Sequence, residues 1–241
     1  MGDPDRAGLQ YMAAFEDPNE LAKFPLFEGI PSEDLARLND QLRRRTFPAG
    51  TRVMSAQQPG ESLFLVLQGS VKIQLDREDG TEITLALLGP GDTVGEMSLV
   101  EREGRSANVV TLEDTTFLWM DRASFLDALQ SMTQLTYNLV RQLSSRLRLA
   151  NQNIQALSTL DVAGRVARQI LVFADQYGRQ DASGIRIPVP LTQSDIAEMV
   201  GATRERVNHA MVAFKNAGAL SVDPHHRITI HDREALAERC R

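Results

Sequence analysis

GEMSLVEREGRSANVV, Gly95 to Val110, sits between two apolar, strand-like runs. Within a dozen residues it offers an acid (Glu96), a cation (Arg105), a hydroxyl (Ser106) and a glycine, Gly95, that lets the backbone come close. A sugar phosphate asks for these groups. A carboxylate accepts a hydrogen bond from a ribose 2′-OH. A guanidinium forks onto a phosphate. A short helical turn over 96–100 would aim its first N–H groups at the same anion. A surface loop with an incidental Glu–Arg pair, worth little for stability, would also fit these letters. Gly-Glu followed nine residues later by Arg-Ser-Ala is the more demanding pattern. The candidate ligand residues of this stretch are Gly95, Glu96, Met97, Ser98, Arg105 and Ser106.

The flanks set the fold class. From Phe47 to Met120 the runs TRVMSA, SLFLVLQGSVKIQL, ITLALL and ANVVTLEDTTFLWM are apolar and β-branched, and PAG, QPGE, EDG and GPGD separate them as turns. Strands at this spacing with no helix between them predict an antiparallel roll or barrel. Upstream, PSEDLARLNDQLRRRTF keeps Leu35, Leu38 and Leu42 at helical spacing, with Ser32 read as the N-cap. Residues 1–22 are polar and acidic and read as a lead-in.

Downstream, the period becomes helical from about Arg122. Val140, Leu143, Leu147, Ala150, Ile154 and Leu157 follow one another at intervals of 3, 4, 3, 4 and 3. That is a heptad seam, which predicts a dimer-forming helix; a helix packed only on its own domain is the other reading. Arg141, Gln142, Arg146, Arg148 and Asn153 occupy the opposite face, read as polar exterior. DVAGRVARQILVFADQYG then predicts a second amphipathic helix ending at Gly178.

In LTQSDIAEMVGATRERVNHAMVAFKNAGAL, Thr192 caps one helix with Asp195 at the capping-box position, Gly201 ends it, and Thr203 caps the next. Small Ala197, Gly201 four later and Val207 six beyond that have the spacing of a helix-turn-helix, though a plain helical hairpin shares it. The second helix would enter a major groove with Arg204, Glu205, Asn208 and His209, where Arg reads guanine and Glu accepts from cytosine N4. Thr192, Gln193, Thr203 and Lys215 are the candidate phosphate contacts. RITIH follows as a wing strand and DREALAERC as a terminal helix.

The bulk numbers agree with that division. The chain has 241 residues and a net charge of −6, which argues against a general polyanion binder. Residues 1–158 hold 15 Lys/Arg and 22 Asp/Glu, whereas 159–241 hold 11 and 10, so a nucleic-acid function, if present, would belong to the second part and rest on a local patch. One cysteine, Cys240, excludes an intrachain disulfide and suits a reducing cytosol. All four histidines lie at or beyond His209, leaving the first 208 residues neither His nor Cys for haem, zinc or an iron–sulfur cluster. The N-terminus lacks a basic-then-apolar leader, and the apolar runs are far short of a membrane span, so a cytoplasmic protein without membrane contact is expected. No catalytic constellation or metal-ligand set converges in the sequence, so an enzyme is not expected.

Three linked blocks carry a resemblance: GEMSLVEREGRSA, LDVAGRVARQIL and LTQSDIAEMVGATRERVNHAM. Over about Phe24–His231 the chain resembles the Crp–Fnr family of bacterial transcription regulators, of the cAMP receptor protein (catabolite activator) type. The resemblance implies an α+β chain. It would comprise an antiparallel β-roll of the cyclic-nucleotide-binding jelly-roll kind over 23–122, a dimerisation helix over 123–158 and a winged helix-turn-helix over 159–241. It implies that the position of Glu96 binds ribose and that Arg105-Ser106 bind the cyclic phosphate. Ala150-Asn151 match the pair on the long helix that contacts adenine, one from each subunit, but cAMP-responsive members commonly carry Thr-Ser or Thr-Asn there. The effector is therefore expected to be cAMP, with cGMP, a cyclic dinucleotide or an unused pocket left open. The family's further basic base-reader falls at His209. A homodimer on a pseudo-palindromic operator, with RNA polymerase as a further partner, is implied as well.

Overall fold

The computed structural model describes residues 14–77, 82–101 and 103–240. Residues 1–13 of the lead-in and the Glu78–Gly80 turn lie outside the described residues. The chain enters through two 3-10 turns, Pro18–Lys23 and Pro25–Phe27, and helix α1, Ser32–Gln41. Ser32 is the first residue of α1 rather than its cap. Pro31 takes the cap position, and the Ser32 hydroxyl donates to Asn19 Oδ1 at 2.9 Å instead.

Eight strands then form two antiparallel sheets. They are β1 (Arg43–Phe47), β2 (Arg52–Met54), β3 (Ser62–Gln68), β4 (Val71–Asp76), β5 (Glu82–Leu88), β6 (Thr93–Val94), β7 (Asn108–Thr111) and β8 (Thr115–Asp121). One sheet runs β1-β8-β3-β6 and the other β2-β7-β4-β5. Between them lies a core of Met54, Phe64, Val66, Val71, Val94, Val109 and Phe117. Phe117 meets Phe47 and Phe64 edge-on, with ring centroids 5.8 and 5.5 Å away. Edge-on contacts set the positive rim of one ring against the negative face of the next. Helix α2, Glu96–Glu101, interrupts the strands and carries the acid of the opening stretch.

The expected single helix over 123–158 is two helices. α3 (Arg122–Ser131) and α4 (Thr133–Thr159) meet at Met132, whose φ of −118° and ψ of 93° are extended. The Met132 side chain is buried with Leu26, Leu35, Phe125 and Leu135. One non-helical residue lets both helices lay apolar faces on that core. The heptad pattern begins only after the break.

The C-terminal part is α5 (Val162–Tyr177), β9 (Arg179–Asp181), β10 (Gly184–Arg186), α6 (Gln193–Val200), α7 (Arg204–Asn216), β11 (Leu220–Val222), β12 (Ile228–Ile230) and α8 (Arg233–Glu238). A four-stranded sheet of order β11-β12-β10-β9 backs the helices. Val166, Ile170, Val207, Met211 and Phe214 close its core, and Leu87 of β5 is buried in the same cluster. The roll and the C-terminal unit are therefore in direct contact. The Thr84 N–H on β5 donates to Glu198 Oε2 of α6 at 2.7 Å. Arg227 near β12 pairs with Glu113 in the β7–β8 turn at 2.9 Å.

Candidate functional site

A cavity of about 290 Å³ opens between the roll, α4 and α5. Gly95, Glu96, Met97, Ser98, Arg105, Ser106 and Ala150 all line it. Gly95 holds φ at +89°, and a Cβ there would stand 2.3 Å from Arg105 Nη1 and 2.9 Å from the Ser62 carbonyl oxygen. No L side chain fits that position, and its absence is what lets the Arg105 guanidinium settle on the loop.

Arg105 is only 8% exposed. Its Nη1 donates to the Gly95 carbonyl and to Ser98 Oγ, both at 2.9 Å, and Nη2 donates to the Ser62 carbonyl at 2.7 Å. Every one of these acceptors is neutral, and among the described residues no carboxylate stands within ion-pair distance of it. Burial lowers its pKa from the usual arginine value, against the pull of Glu96 and Glu61. A buried cation without its own counter-ion is costly unless an anion joins it.

Glu96 is 4% exposed. Its Oε1 accepts from Arg146 Nη1 at 2.8 Å, while Oε2 is buried with no partner. Burial raises its pKa, and Arg146 opposes the rise. Glu96 lines the cavity, and a buried carboxylate oxygen without a donor is a vacant acceptor.

Arg146 belongs to the face of α4 read from the sequence as exterior. It is half-buried instead. Nη2 donates to the Thr93 carbonyl at 2.7 Å and lies 3.6 Å from Asp92 Oδ1. Gln142 Oε1, one turn earlier, accepts from Thr93 Oγ1 at 3.0 Å. Asp92 in turn accepts from the Tyr177 hydroxyl at 2.5 Å, and burial beside that carboxylate pushes the phenol well above its usual value. Glu96, Arg146, Asp92 and Tyr177 thus form one polar chain from α2 through α4 to α5. Of these four, sequence reasoning singled out only Glu96. The available signal for Arg146 was its position one helical turn before Ala150, on a helix already assigned to the ligand.

Asn151 does not join this cavity. It is exposed on α4 and does not line the cavity, so within one chain the Ala150-Asn151 pair is split and Ala150 alone of the two lines the pocket. Along the same helix Tyr137, Val140, Leu147, Ile154 and Leu157 are exposed, Leu147 and Ile154 each by 64%. Leu143 of the predicted seam is instead partly buried against the roll's own core.

The helix-turn-helix is built as its letters require. Thr192 and Asp195 complete a capping box on α6. Gly201 is left-handed at φ 61°, and Ala197 and Val207 are buried at the crossing. Arg204, Glu205, Asn208 and His209 are exposed on α7, with His209 one turn beyond Glu205. Lys215 lies three turns beyond Arg204 on nearly the same face, about 16 Å along the axis. Two of the anticipated phosphate contacts have other work. The Thr192 hydroxyl bonds Asp195, and the Thr203 hydroxyl accepts from the Arg206 N–H at 3.4 Å. Gln193 Nε2 donates to Asn208 Oδ1 at 2.9 Å, which ties α6 to the reading face of α7.

The comparisons with known proteins fall on the same two units. The family described as Cyclic nucleotide-binding domain matches residues 44–132, and the Crp-like helix-turn-helix domain matches residues 164–239. The CRP-like cAMP-activated global transcriptional regulator of Mycobacterium tuberculosis is 35% identical over 221 residues, covering 92% of this chain and 98% of that protein. The Cyclic AMP receptor protein of Thermus thermophilus is 32% identical over 88% of this chain and 93% of its own length. The structure of FixK2 from Bradyrhizobium japonicum shares the fold, with a TM-score of 0.72 at 21% identity, over 82% of this chain and 96% of that one. No helix among the described residues is long and apolar enough to cross a membrane. The α+β reading, with an N-terminal β-roll and a C-terminal winged helix-turn-helix, therefore holds. The chain belongs to the Crp–Fnr family, as a DNA-binding transcription regulator with a cyclic-nucleotide-binding domain, and not as an enzyme.

Proposed function

We propose that this regulator works as a homodimer whose grip on DNA is set by a cyclic mononucleotide, with cAMP the best-fitting effector. The observation that carries the reading is the pairing of a buried, anion-less guanidinium at Arg105 with a buried, donor-less oxygen at Glu96. A cyclic phosphate supplies the anion and a ribose 2′-OH supplies the donor. The cavity, near the lower end of the ~300–1,000 Å³ typical of ligand pockets, suits one nucleotide better than a dinucleotide. Two of the relatives above are named for cAMP, which supports the same choice.

The exposed apolar stripe on α4 supports the dimer, because four large side chains at heptad spacing, Val140, Leu147, Ile154 and Leu157, are a surface that a second copy would cover. Asn151 lies on the side of α4 turned from its own pocket, where it would reach the partner's effector. A ligand that touches both long helices biases how they pack. The Glu96–Arg146–Asp92–Tyr177 chain gives a second route within one copy, since a sugar hydroxyl on Glu96 changes what Arg146 must share.

Selection from random duplex DNA tests the DNA side. A symmetric motif with half-sites about one turn, roughly 34 Å, apart is expected, and no enrichment of any symmetric motif would overturn it. Glu205→Ala should lower preference at one base pair of each half-site about tenfold while total affinity holds or rises, because an acid leaves a phosphate-facing surface. Equal weakening on all sequences would contradict base reading by Glu205.

A further inference from the structure

The cavity does not end at the long helix. Its far wall belongs to the C-terminal unit: Gln169, Phe173 and Gln176 of α5, with Met199 of α6. The α5 residues are spaced i, i+4 and i+7, so one face of the helix presents them all. Phe173 is buried in the core of the C-terminal unit, and Gln176 is exposed at the rim. Gln169 is the unusual member. The residue is 7% exposed, yet its amide atoms are not sealed off, and no hydrogen bond joins them to another described residue. The neighbouring amide on the cavity wall is engaged, because Asn153 Oδ1 accepts from Arg168 Nη1 at 2.6 Å. An unengaged amide on a cavity wall keeps a donor and an acceptor free for whatever enters.

We propose that Gln169 reads the base of the nucleotide and thereby determines effector specificity. This rests on the site reading above, in which phosphate and ribose sit against Arg105 and Glu96. With that end fixed, the planar base is left for the rest of the cavity, whose lining includes Leu87, Ala150, Phe173 and Gln169. Three of these give apolar surface, and Gln169 gives one donor and one acceptor side by side. Adenine presents a matching pair, the N6 amine and N7, to which a glutamine amide bonds bidentately. Guanine presents two acceptors, O6 and N7, so the same amide makes one bond and opposes its own carbonyl to the other acceptor. The geometry therefore favours adenine over guanine. It also joins the base to the first helix of the DNA-binding unit within the same chain.

The test is a calorimetric titration of the full-length protein with cAMP, cGMP and 7-deaza-cAMP. Wild type should bind cAMP about tenfold more tightly than 7-deaza-cAMP and more tightly than cGMP. Gln169→Leu, close in size and apolar, should lose most of both preferences, chiefly by weakening cAMP about tenfold while cGMP changes less than about twofold. Gln169→Met provides a second variant if the leucine shape disturbs α5, and the wild-type comparison of cAMP with 7-deaza-cAMP needs no variant. Wild type that binds cAMP and 7-deaza-cAMP equally, or a cAMP/cGMP ratio unchanged in both variants, overturns the role of Gln169 and leaves the phosphate and ribose assignment standing. Wild type that binds none of the three overturns that assignment and the role of Gln169 with it.

Discussion

Arg105→Gln should weaken cAMP binding by at least about a hundredfold, because truncating one partner of a buried, hydrogen-bonded charge pair costs about 2–5 kcal/mol. Glutamine keeps a donor for the Ser62 or Gly95 carbonyl but carries no charge for a phosphate. The loss should be confined to the ligand. In the free protein Arg105 is a desolvated cation with only neutral acceptors, so removing its charge relieves a burial cost as well as deleting hydrogen bonds. Thermal unfolding should shift little, and sedimentation should show an unchanged dimer. Calorimetry decides: unaltered cAMP affinity in a folded Arg105→Gln protein would contradict the placement of the phosphate.

Leu147→Glu, combined with Ile154→Glu, should convert the proposed dimer to a monomer. Both side chains are 64% exposed in the single chain and lie one heptad apart on α4. Burying a leucine or isoleucine contributes about 1.5–3 kcal/mol, and twofold symmetry counts each twice. Glutamates would also oppose their symmetry mates across the seam. A dimer dissociation constant raised by more than about a thousandfold is expected, measured by analytical ultracentrifugation. Operator affinity should collapse with it, because two half-sites held by one body bind far more tightly than one. Nucleotide binding should weaken less, since Arg105 and Glu96 belong to a single roll. A double variant that sediments as wild type would show that α4 is not the joining surface.

The parts legible in the sequence share a local cause. The helix-turn-helix is declared by residues whose roles are settled within ten positions: the Thr192–Asp195 box, the left-handed Gly201, the small Ala197. The roll follows from alternating apolar runs and the turns between them. Glu96 and Arg105 were legible because they stand nine positions apart in one short segment between strands. What stayed hidden depends on contacts distant in sequence. Arg146 looked like solvated exterior until the roll folded against it, and its partner Glu96 is 50 positions away. Tyr177 and Asp92 are 85 apart, and neither sits in a pattern that marks it. Met132 offers no glycine or proline to announce the break between α3 and α4; burial of its side chain decides it. Gln169 was hidden by its company, one polar residue in an otherwise ordinary amphipathic helix.

Occupancy of the Arg105–Glu96 pocket should set DNA affinity. Fluorescence anisotropy of a selected operator, titrated with protein at increasing cAMP, tests it most directly. Affinity should change with cAMP and saturate as the pocket fills, with calorimetry giving one nucleotide per chain. No heat on mixing and one DNA affinity from zero to millimolar nucleotide would contradict it.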